Sequence, residues 1–149
     1  MRAVVQRVSS ANVRVGGRTV GEIGRGLLAL VSVGLDDDAR DAESMAEKIA
    51  GLRIFPDERD LMNRSIKEIG GAVLLVSQFT LHGDVRRGRR PSFVAAAKEP
   101  AASDLYRLVG TNLEADGLSV AYGEFGAKME VELVNTGPVT ILIDTKRLF

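Results

Sequence analysis

Alternation of apolar and polar residues predicts a chain built mostly of β-strands. Residues 2–9 alternate like a half-buried strand, and the β-like segments 12–15 and 18–23 flank Gly16-Gly17, a two-residue hairpin signal. The apolar run 27–33 is too short for a buried helix and predicts a central strand. A second buried strand and three closing strands are predicted at residues 73–76, 118–123, 129–135 and 138–144.

Two segments have helical spacing instead. The acidic residues 36–38 can cap a helix and favour the positive end of its dipole, and apolar residues recur after them. A second helix is predicted between Pro100 and Asp116-Gly117. The inward-facing positions are predicted to be Ala42, Met45, Ala46 and Ile49 in the first helix, and Leu105, Leu108, Val109 and Leu113 in the second.

These elements predict a single α+β domain spanning residues 1–149. Its sheet is expected to be mixed, largely antiparallel and barrel-like, with two principal helices. Because two helices cannot cover both faces of so large a sheet, we expect the protein to dimerise through part of the sheet.

Composition excludes several classes of function. Twenty basic and 20 acidic side chains leave no net charge, which argues against a protein that coats nucleic acid by charge alone. No apolar run reaches the roughly 18 residues of a membrane helix, and residues 1–8 are typical of a strand and not of a signal peptide. Without cysteine there is no disulfide or thiolate nucleophile. We therefore expect a cytoplasmic protein that contacts neither membrane nor DNA.

The densest basic run consists of Arg86, Arg87, Arg89 and Arg90. It is typical either of a local patch that binds nucleic acid or of a solvated loop. The sequence leaves both interpretations open.

The one histidine, His82, is the first catalytic candidate by residue type. In a strand, Thr80 and His82 would point the same way, so a nucleophile and base pair is geometrically possible. A lone histidine just past a strand end is more often a surface residue, and we expect His82 to be one. One histidine and no cysteine also make a metal site improbable, so we expect no metal and no cofactor.

Two further segments combine polar residues with strand character. Ser77-Gln78-Phe79-Thr80 ends an apolar strand, where hydroxyl and N–H groups can polarise a carbonyl, although such a segment can also simply lead into a turn. Asn135-Thr136-Gly137-Pro138-Val139-Thr140 interrupts two strand-like runs. It is typical of a hairpin turn, but proline also permits a cis peptide that fixes a carbonyl in an unusual direction.

With these segments the chain closely resembles the bacterial-type D-aminoacyl-tRNA deacylases over essentially its whole length. Six stretches occur in the family's order and spacing, which makes the combination specific although each alone is weak. They are Met1-Arg2-Ala3-Val4-Val5-Gln6-Arg7-Val8, Gly24-Arg25-Gly26-Leu27-Leu28, Ser77-Gln78-Phe79-Thr80-Leu81, Arg90-Pro91-Ser92-Phe93, Tyr122-Gly123-Glu124-Phe125-Gly126-Ala127-Lys128-Met129 and Asn135-Thr136-Gly137-Pro138-Val139-Thr140.

The resemblance implies a homodimer with active sites at the subunit interface. A cis Gly137-Pro138 peptide from one subunit would reach into the other subunit's site and reject L-amino acids. Ser77, Gln78, Phe79 and Thr80 would line the pocket and position the ester carbonyl. The family also has an arginine that braces the Gly-Pro loop, and Arg7 matches it. Phe125 and Met129 match a second stretch that lines the pocket. Nothing carries over to His82, Arg86, Arg87 or Arg89.

The implied reaction is hydrolysis of the ester between a D-amino acid and the 3′ adenosine of tRNA, without a cofactor. The nucleophile stays open between Thr80 and a water assisted by the neighbouring ribose hydroxyl. Two other functions also stay open. One is a sibling editing deacylase with a different chirality or tRNA preference, and the other is a non-catalytic RNA- or amino-acid-binding module.

Overall fold

The computed structural model describes residues 1–148, so Phe149, the last residue of the predicted domain, lies outside the described residues. Two α-helices, eight strands and a short 3₁₀ helix make up the fold. The strands are β1 (Arg2–Val15), β2 (Arg18–Ile23), β3 (Gly26–Ser32), β4 (Phe55–Pro56), β5 (Met62–Arg64), β6 (Ala72–Ser77), β7 (Ser119–Tyr122) and β8 (Glu130–Asp144). The helices are α1 (Ala39–Gly51), α2 (Ala101–Ala115) and the 3₁₀ helix Phe79–His82.

The strand β1 organises the main sheet. Along one edge its first half pairs with β3 and its second half with β2, and along the other edge it pairs with β8 over nearly its whole length, always antiparallel. Beyond β3 the strands β6 and β7 are added in parallel. The predicted α+β class with a mixed, largely antiparallel sheet is therefore confirmed.

The sheet curls until its ends nearly meet. β2 packs against β7 because Gly21 has no side chain, and a Cβ there would lie 2.3 Å from the Tyr122 carbonyl oxygen. This close approach gives the predicted barrel-like shape and separates two apolar clusters. Leu27, Ala29 and Val31 of β3 face the helices, whereas Leu28 of the same strand lies in the interior of the curl.

The helix α1 begins as the sequence predicts. The Asp38 side chain accepts hydrogen bonds from the Arg40 and Asp41 N–H groups, and the Asp41 carboxylate accepts from the Asp38 N–H, which forms a capping box. The four predicted inward positions of α1 are all buried. The acidic cluster at 36–38 thus contributes to the local fold, with Asp38 as the cap.

The helix α2 differs in detail from its prediction. Val109 and Leu113 are buried as expected, but Leu105 and Leu108 are only partly buried. Tyr106 is buried as well, and its hydroxyl donates a 2.7 Å hydrogen bond to the Leu75 carbonyl of the sheet. A tyrosine satisfies its polar end in this way while burying its ring, and apolar periodicity alone does not reveal this.

Two boundaries in the predicted strand order are wrong. Residues 2–15 form one strand instead of two, and residues 130–144 form one strand, β8, instead of two separated at 136–137. The Gly-Pro segment is therefore not a hairpin turn. Both halves of β8 pair with the same neighbour, β1. β8 leaves the ladder between Asn135 and Thr140, and a second shift in register falls between Val8 and Ser10 of β1.

No helix within residues 1–148 is long and apolar enough to cross a membrane.

Candidate functional site

A cavity of about 280 Å³ opens where β3 and β6 end. Parallel pairing brings the carboxyl ends of these two strands together, so Val31 and Ser32 lie beside Ser77 and Gln78. The remaining walls come mainly from α2, from the segment between β7 and β8 and from Val131 at the start of β8. Five of the predicted site residues line this cavity: Ser77, Gln78, Phe79, Phe125 and Met129.

The Ser77-to-Thr80 segment changes conformation at the edge of the cavity. The Gln78 N–H donates a 2.8 Å hydrogen bond to the Val31 carbonyl, which extends the ladder one residue past β6 before the 3₁₀ helix begins. Thr80 is exposed at the rim and does not line the cavity. Its hydroxyl oxygen accepts a 2.5 Å hydrogen bond from the Gln78 side-chain amide. The structure thus places Thr80 beside the cavity with a donor, and not a base, as its neighbour.

The opposite wall is apolar and close-packed. The ring of Phe125 packs on Tyr106, with ring centroids 5.6 Å apart. Met129 lies against Gly123, where a Cβ would come within 2.8 Å of the Met129 sulfur. Burial raises the pKa of Tyr106, so its hydroxyl remains protonated and serves as a fixed donor to the sheet. This wall gives the cavity shape but no proton acceptor.

The Gly137–Pro138 peptide is cis and lies in a loop that leaves the β1–β8 ladder. On β1 only Arg7 separates the paired residues Gln6 and Val8, whereas on β8 residues 136–139 separate their partners Asn135 and Thr140. Gly137 has φ +138°, a conformation that side chains disfavour. Residues 136–139 therefore form a bulged loop that projects from a continuous strand.

Arg7 and Asn135 hold this loop against its own chain. The Arg7 Nε donates to the Thr136 carbonyl at 2.8 Å, and its Nη1 donates to the Ile54 carbonyl at 2.6 Å. A bracing arginine would make such contacts, and the role of Arg7 stays a prediction. Asn135 was missed by the sequence reasoning: its side chain accepts from the Val139 N–H at 2.7 Å and donates to the Val139 carbonyl at 3.1 Å. An asparagine just before a Gly-Pro turn was the available signal.

Within one chain the structure does not bring the Gly-Pro loop to the cavity. Arg7 pairs with Leu27 at the start of β3, whereas Ser77 pairs with Val31 near its end. Four residues of strand separate these positions, which is about 13 Å along β3. The Gly-Pro loop therefore lies beside the start of β3, whereas the Ser77 segment lies beside its end.

His82 is buried, and the expectation of a surface residue is wrong. Its Nδ1 lies 2.6 Å from the Ser32 hydroxyl oxygen. The segment is helical and not extended, so Thr80 and His82 do not form the pair considered from the sequence. Burial, reinforced by the charge of Arg2, lowers the pKa of His82 against the opposing effects of Asp37 and Asp144. The neutral ring ties the 3₁₀ helix to the end of β3, behind the cavity.

Among residues 1–148 no three aspartate, glutamate or histidine side chains lie together in a way that could hold a metal ion. The nearest acidic group to His82 is already engaged, since the Asp37 carboxylate accepts the Gly34 N–H at 2.5 Å.

Comparison with known proteins finds relatives along nearly the whole chain. The family model described as D-Tyr-tRNA(Tyr) deacylase matches residues 4–144. A protein of Symbiobacterium thermophilum named D-aminoacyl-tRNA deacylase is 60% identical over 100% of this chain and 99% of its own. A protein of the same name from Koribacter versatilis is 59% identical over 100% of both chains.

Two solved structures share the fold. The structure titled c-Myc DNA Unwinding Element Binding Protein superposes with a TM-score of 0.91 and is 38% identical, covering 97% of this chain and 99% of that one. A probable eukaryotic D-amino acid tRNA deacylase superposes with a TM-score of 0.77 over 95% of this chain and 97% of that one. Because it is only 17% identical, the second match shows the fold alone.

The burial of His82 makes stability depend on pH. Its pKa in the folded chain is below the ordinary value of 6.5, so the unfolded chain binds the extra proton more readily. This contribution is fully present above pH 6.5 and is lost as the pH falls towards the folded pKa. We expect the free energy of unfolding, measured by urea titration, to decline between roughly pH 7 and 5.

His82→Gln is the control for this expectation, because it removes the only histidine and keeps a polar side chain. The variant should show a shallower decline over the same range. Equal pH slopes for both proteins would contradict the assignment.

Proposed function

The chain belongs to the D-Tyr-tRNA(Tyr) deacylase family, and on that premise we propose that it hydrolyses the ester linking a D-amino acid to the 3′ adenosine of tRNA. The observation that carries this proposal is the cavity at the ends of β3 and β6, because it gathers the family's signature residues Ser77, Gln78 and Phe79 with Phe125 and Met129. No cofactor is required for hydrolysis of an activated ester. We place the enzyme in the cytoplasm, where aminoacyl-tRNA is used.

The cavity suits an aminoacyl group. Its volume of about 280 Å³ lies at the small end of ligand pockets. Its walls are largely apolar, with Val31, Phe125 and Met129 facing a few polar groups. Such walls accept side chains of differing chemistry, so the cavity itself does not select one amino acid. Selection must then act on the configuration at Cα.

Selection by the configuration at Cα requires a large difference in free energy between the D- and L-substrates. A pocket that crowds or welcomes one methyl group discriminates by only about 1–3 kcal/mol. Sparing L-aminoacyl-tRNA by a factor of about ten thousand requires roughly 5.5 kcal/mol. A side-chain wall can rotate away, whereas a fixed backbone segment cannot. We propose that the Gly137-Pro138 loop is this backbone wall, because Arg7 and Asn135 fix it at both ends.

The loop can act on a cavity only across a dimer. It lies about 13 Å along β3 from the Ser77 segment of its own chain, so we propose a homodimer in which each loop enters the partner's cavity. A two-fold axis would complete both sites at once. The strand β8 also exposes Val134 and Leu142, at 56% and 60%, which supports an interface on this part of the sheet.

For the nucleophile, the environment of Thr80 favours a water molecule. A general base must accept a proton from the attacking hydroxyl, but the neighbour of the Thr80 hydroxyl is the Gln78 amide, which donates. We propose that water attacks with help from the ribose hydroxyl of the substrate. The N–H groups of Phe79 and Thr80, at the start of the 3₁₀ helix, would stabilise the oxyanion.

Deacylation assays on matched D-, L- and glycyl-tRNA test the function. Because glycine has no Cβ, a filter that excludes the L side chain cannot reject it. We expect rapid hydrolysis of D-aminoacyl- and glycyl-tRNA at comparable rates and sparing of the L-substrate. Complete sparing of glycyl-tRNA would contradict exclusion by a backbone wall. Preference for an L-substrate would indicate a sibling editing deacylase, and tRNA binding without hydrolysis would indicate a binding module.

Arg7→Ala tests the wall. Loss of a hydrogen bond from a charged group costs about 1.5–3 kcal/mol, so we expect the D-over-L rate ratio to fall by about 10- to 100-fold as the loop loosens. Arg14→Ala is the matched control, because Arg14 lies on the same strand and contacts Glu132 of β8, away from the loop. Its D-over-L ratio should stay unchanged.

The same variants also test whether the protein is a dimer. Sedimentation should give twice the 16.0 kDa mass of the chain for the native protein and for both variants, since Arg7 contacts its own subunit. A monomer with full selectivity would contradict the shared site.

Thr80→Ala separates the two schemes for attack. With water as the nucleophile, single-turnover hydrolysis of D-aminoacyl-tRNA should stay within a few-fold of the native rate, because the backbone N–H of residue 80 is retained. A loss of about a thousandfold or more would instead identify the Thr80 hydroxyl as the nucleophile. Thr19→Ala, which removes an exposed hydroxyl on β2, controls for nonspecific effects.

A further inference from the structure

The run of four arginines lies on a closed loop, residues 84–92, which we call the arginine arm. Its base is fastened by two backbone hydrogen bonds, from the Asp84 N–H to the Ser92 carbonyl at 2.8 Å and from the Ser92 N–H to the Asp84 carbonyl at 2.9 Å. Gly88, with φ +99°, allows the chain to reverse within the arm. The arm is therefore anchored at its base.

The four arginines of the arm differ in whether they form an ion pair. The Asp84 carboxylate accepts from the Nε and Nη2 of Arg86 at 2.9 and 2.6 Å, and these bonds lower the pKa of Asp84 to about 2. Arg87, Arg89 and Arg90 are exposed and form no ion pair with any residue in the described range 1–148. In a chain of zero net charge, three cations are thus concentrated on one loop without an internal counter-ion.

The arm joins the mouth of the cavity through an aromatic pair. Phe93 follows directly after the arm, and its ring meets Phe79 edge-on with centroids 5.1 Å apart. Phe79 lines the cavity and is 57% exposed. Since Arg90 is three residues from Phe93, their Cα atoms are at most about 11 Å apart. The base of the arm therefore lies beside the entrance that the substrate must use.

We propose that the arginine arm binds backbone phosphates of the RNA strand whose 3′ end enters the cavity. This inference rests on the proposed function, which supplies the RNA, and assigns a place on the protein to hold it. Guanidinium groups match phosphate oxygens with paired donors, and the absence of competing carboxylates on Arg87, Arg89 and Arg90 leaves these donors available. The exposed ring of Phe79 offers a surface on which a terminal base can stack.

Such an arm explains how a neutral protein can bind tRNA. Most of its surface has no net attraction for RNA, so a localised patch both holds the nucleic acid and directs its end. The cavity recognises the aminoacyl group, whereas the arm recognises the charged backbone. Loss of the arm should then affect substrates with an RNA body and spare small esters.

The test compares Arg87→Gln/Arg89→Gln with Lys48→Gln/Arg107→Gln, which removes two exposed charges on the helices α1 and α2. Two substrates are used: D-aminoacyl-tRNA and the same D-amino acid esterified to adenosine alone. We expect the arm variant to lose about tenfold or more in kcat/KM on the tRNA substrate, with a rise in KM. It should hydrolyse the adenosine ester like the native protein, and the control variant should be unchanged on both.

Binding of deacylated tRNA provides a readout that does not need hydrolysis. The slope of log Kd against log salt should decrease by about 1.4–1.8 in the arm variant, because each lost phosphate contact accounts for about 0.7–0.9. Equal loss on both substrates would show that the arm shapes the cavity, and an unchanged salt slope would show a solvated loop. Either result overturns the proposal, as does tighter binding of a DNA duplex than of tRNA. Failure of the proposed function is seen separately, as no hydrolysis of either ester by the native protein.

Discussion

The unequal pairing of β1 with β8 is the constraint on which the candidate site depends. A single residue of β1, Arg7, stands opposite four residues of β8, 136–139, while the ladder continues on both sides. The excess chain has to leave the sheet, and it leaves as a loop whose two ends are fixed by strand pairing. Arg7 occupies the position from which a long side chain reaches both the Thr136 and Ile54 carbonyls. The loop is therefore stiff because strand pairing holds both of its ends and Arg7 holds it to β1.

The sequence is informative wherever the signal is local. Gly16-Gly17 predicts the β1–β2 hairpin, Asp38 the start of α1 and the apolar run 27–33 the central strand, and each is decided within a few residues. The Gly-Pro segment shows the limit of such signals. A turn within a hairpin and a bulge within one strand use the same residues, and only the partner of the flanking strands distinguishes them.

The predictions for the site residues also succeed where the signal is local and fail where it depends on distant strands. Ser77, Gln78 and Phe79 could be placed at a strand end from the sequence, and the family resemblance added Phe125 and Met129, all of which line the cavity. The burial of His82 could not be predicted, because its partner Ser32 lies 50 positions away and is brought near by the parallel pairing of β3 and β6. The hydrogen bond of the Tyr106 hydroxyl could not be predicted for a similar reason, since its acceptor, the Leu75 carbonyl, belongs to β6. Long-range pairing decides these positions, and periodicity within a segment contains no information about it.

The separation of the Gly-Pro loop from the cavity of its own chain has a mechanical consequence. A wall that rejects an L side chain must resist displacement by that side chain, and resistance depends on the anchor behind the wall. For the Gly-Pro loop, the proposed wall, the anchors are β1 and β8, continuous strands of 14 and 15 residues. The cavity, by contrast, is lined by the ends of β3 and β6, the 3₁₀ helix, α2, the segment between β7 and β8 and Val131 of β8, and its largely apolar walls suit different side chains. A site divided between subunits would thus combine a rigid surface that reads configuration with a tolerant one that accepts the substrate. One chain does not provide both at the same place, because the loop leaves β8 beside the start of β3, whereas the Ser77 segment lies beside its end.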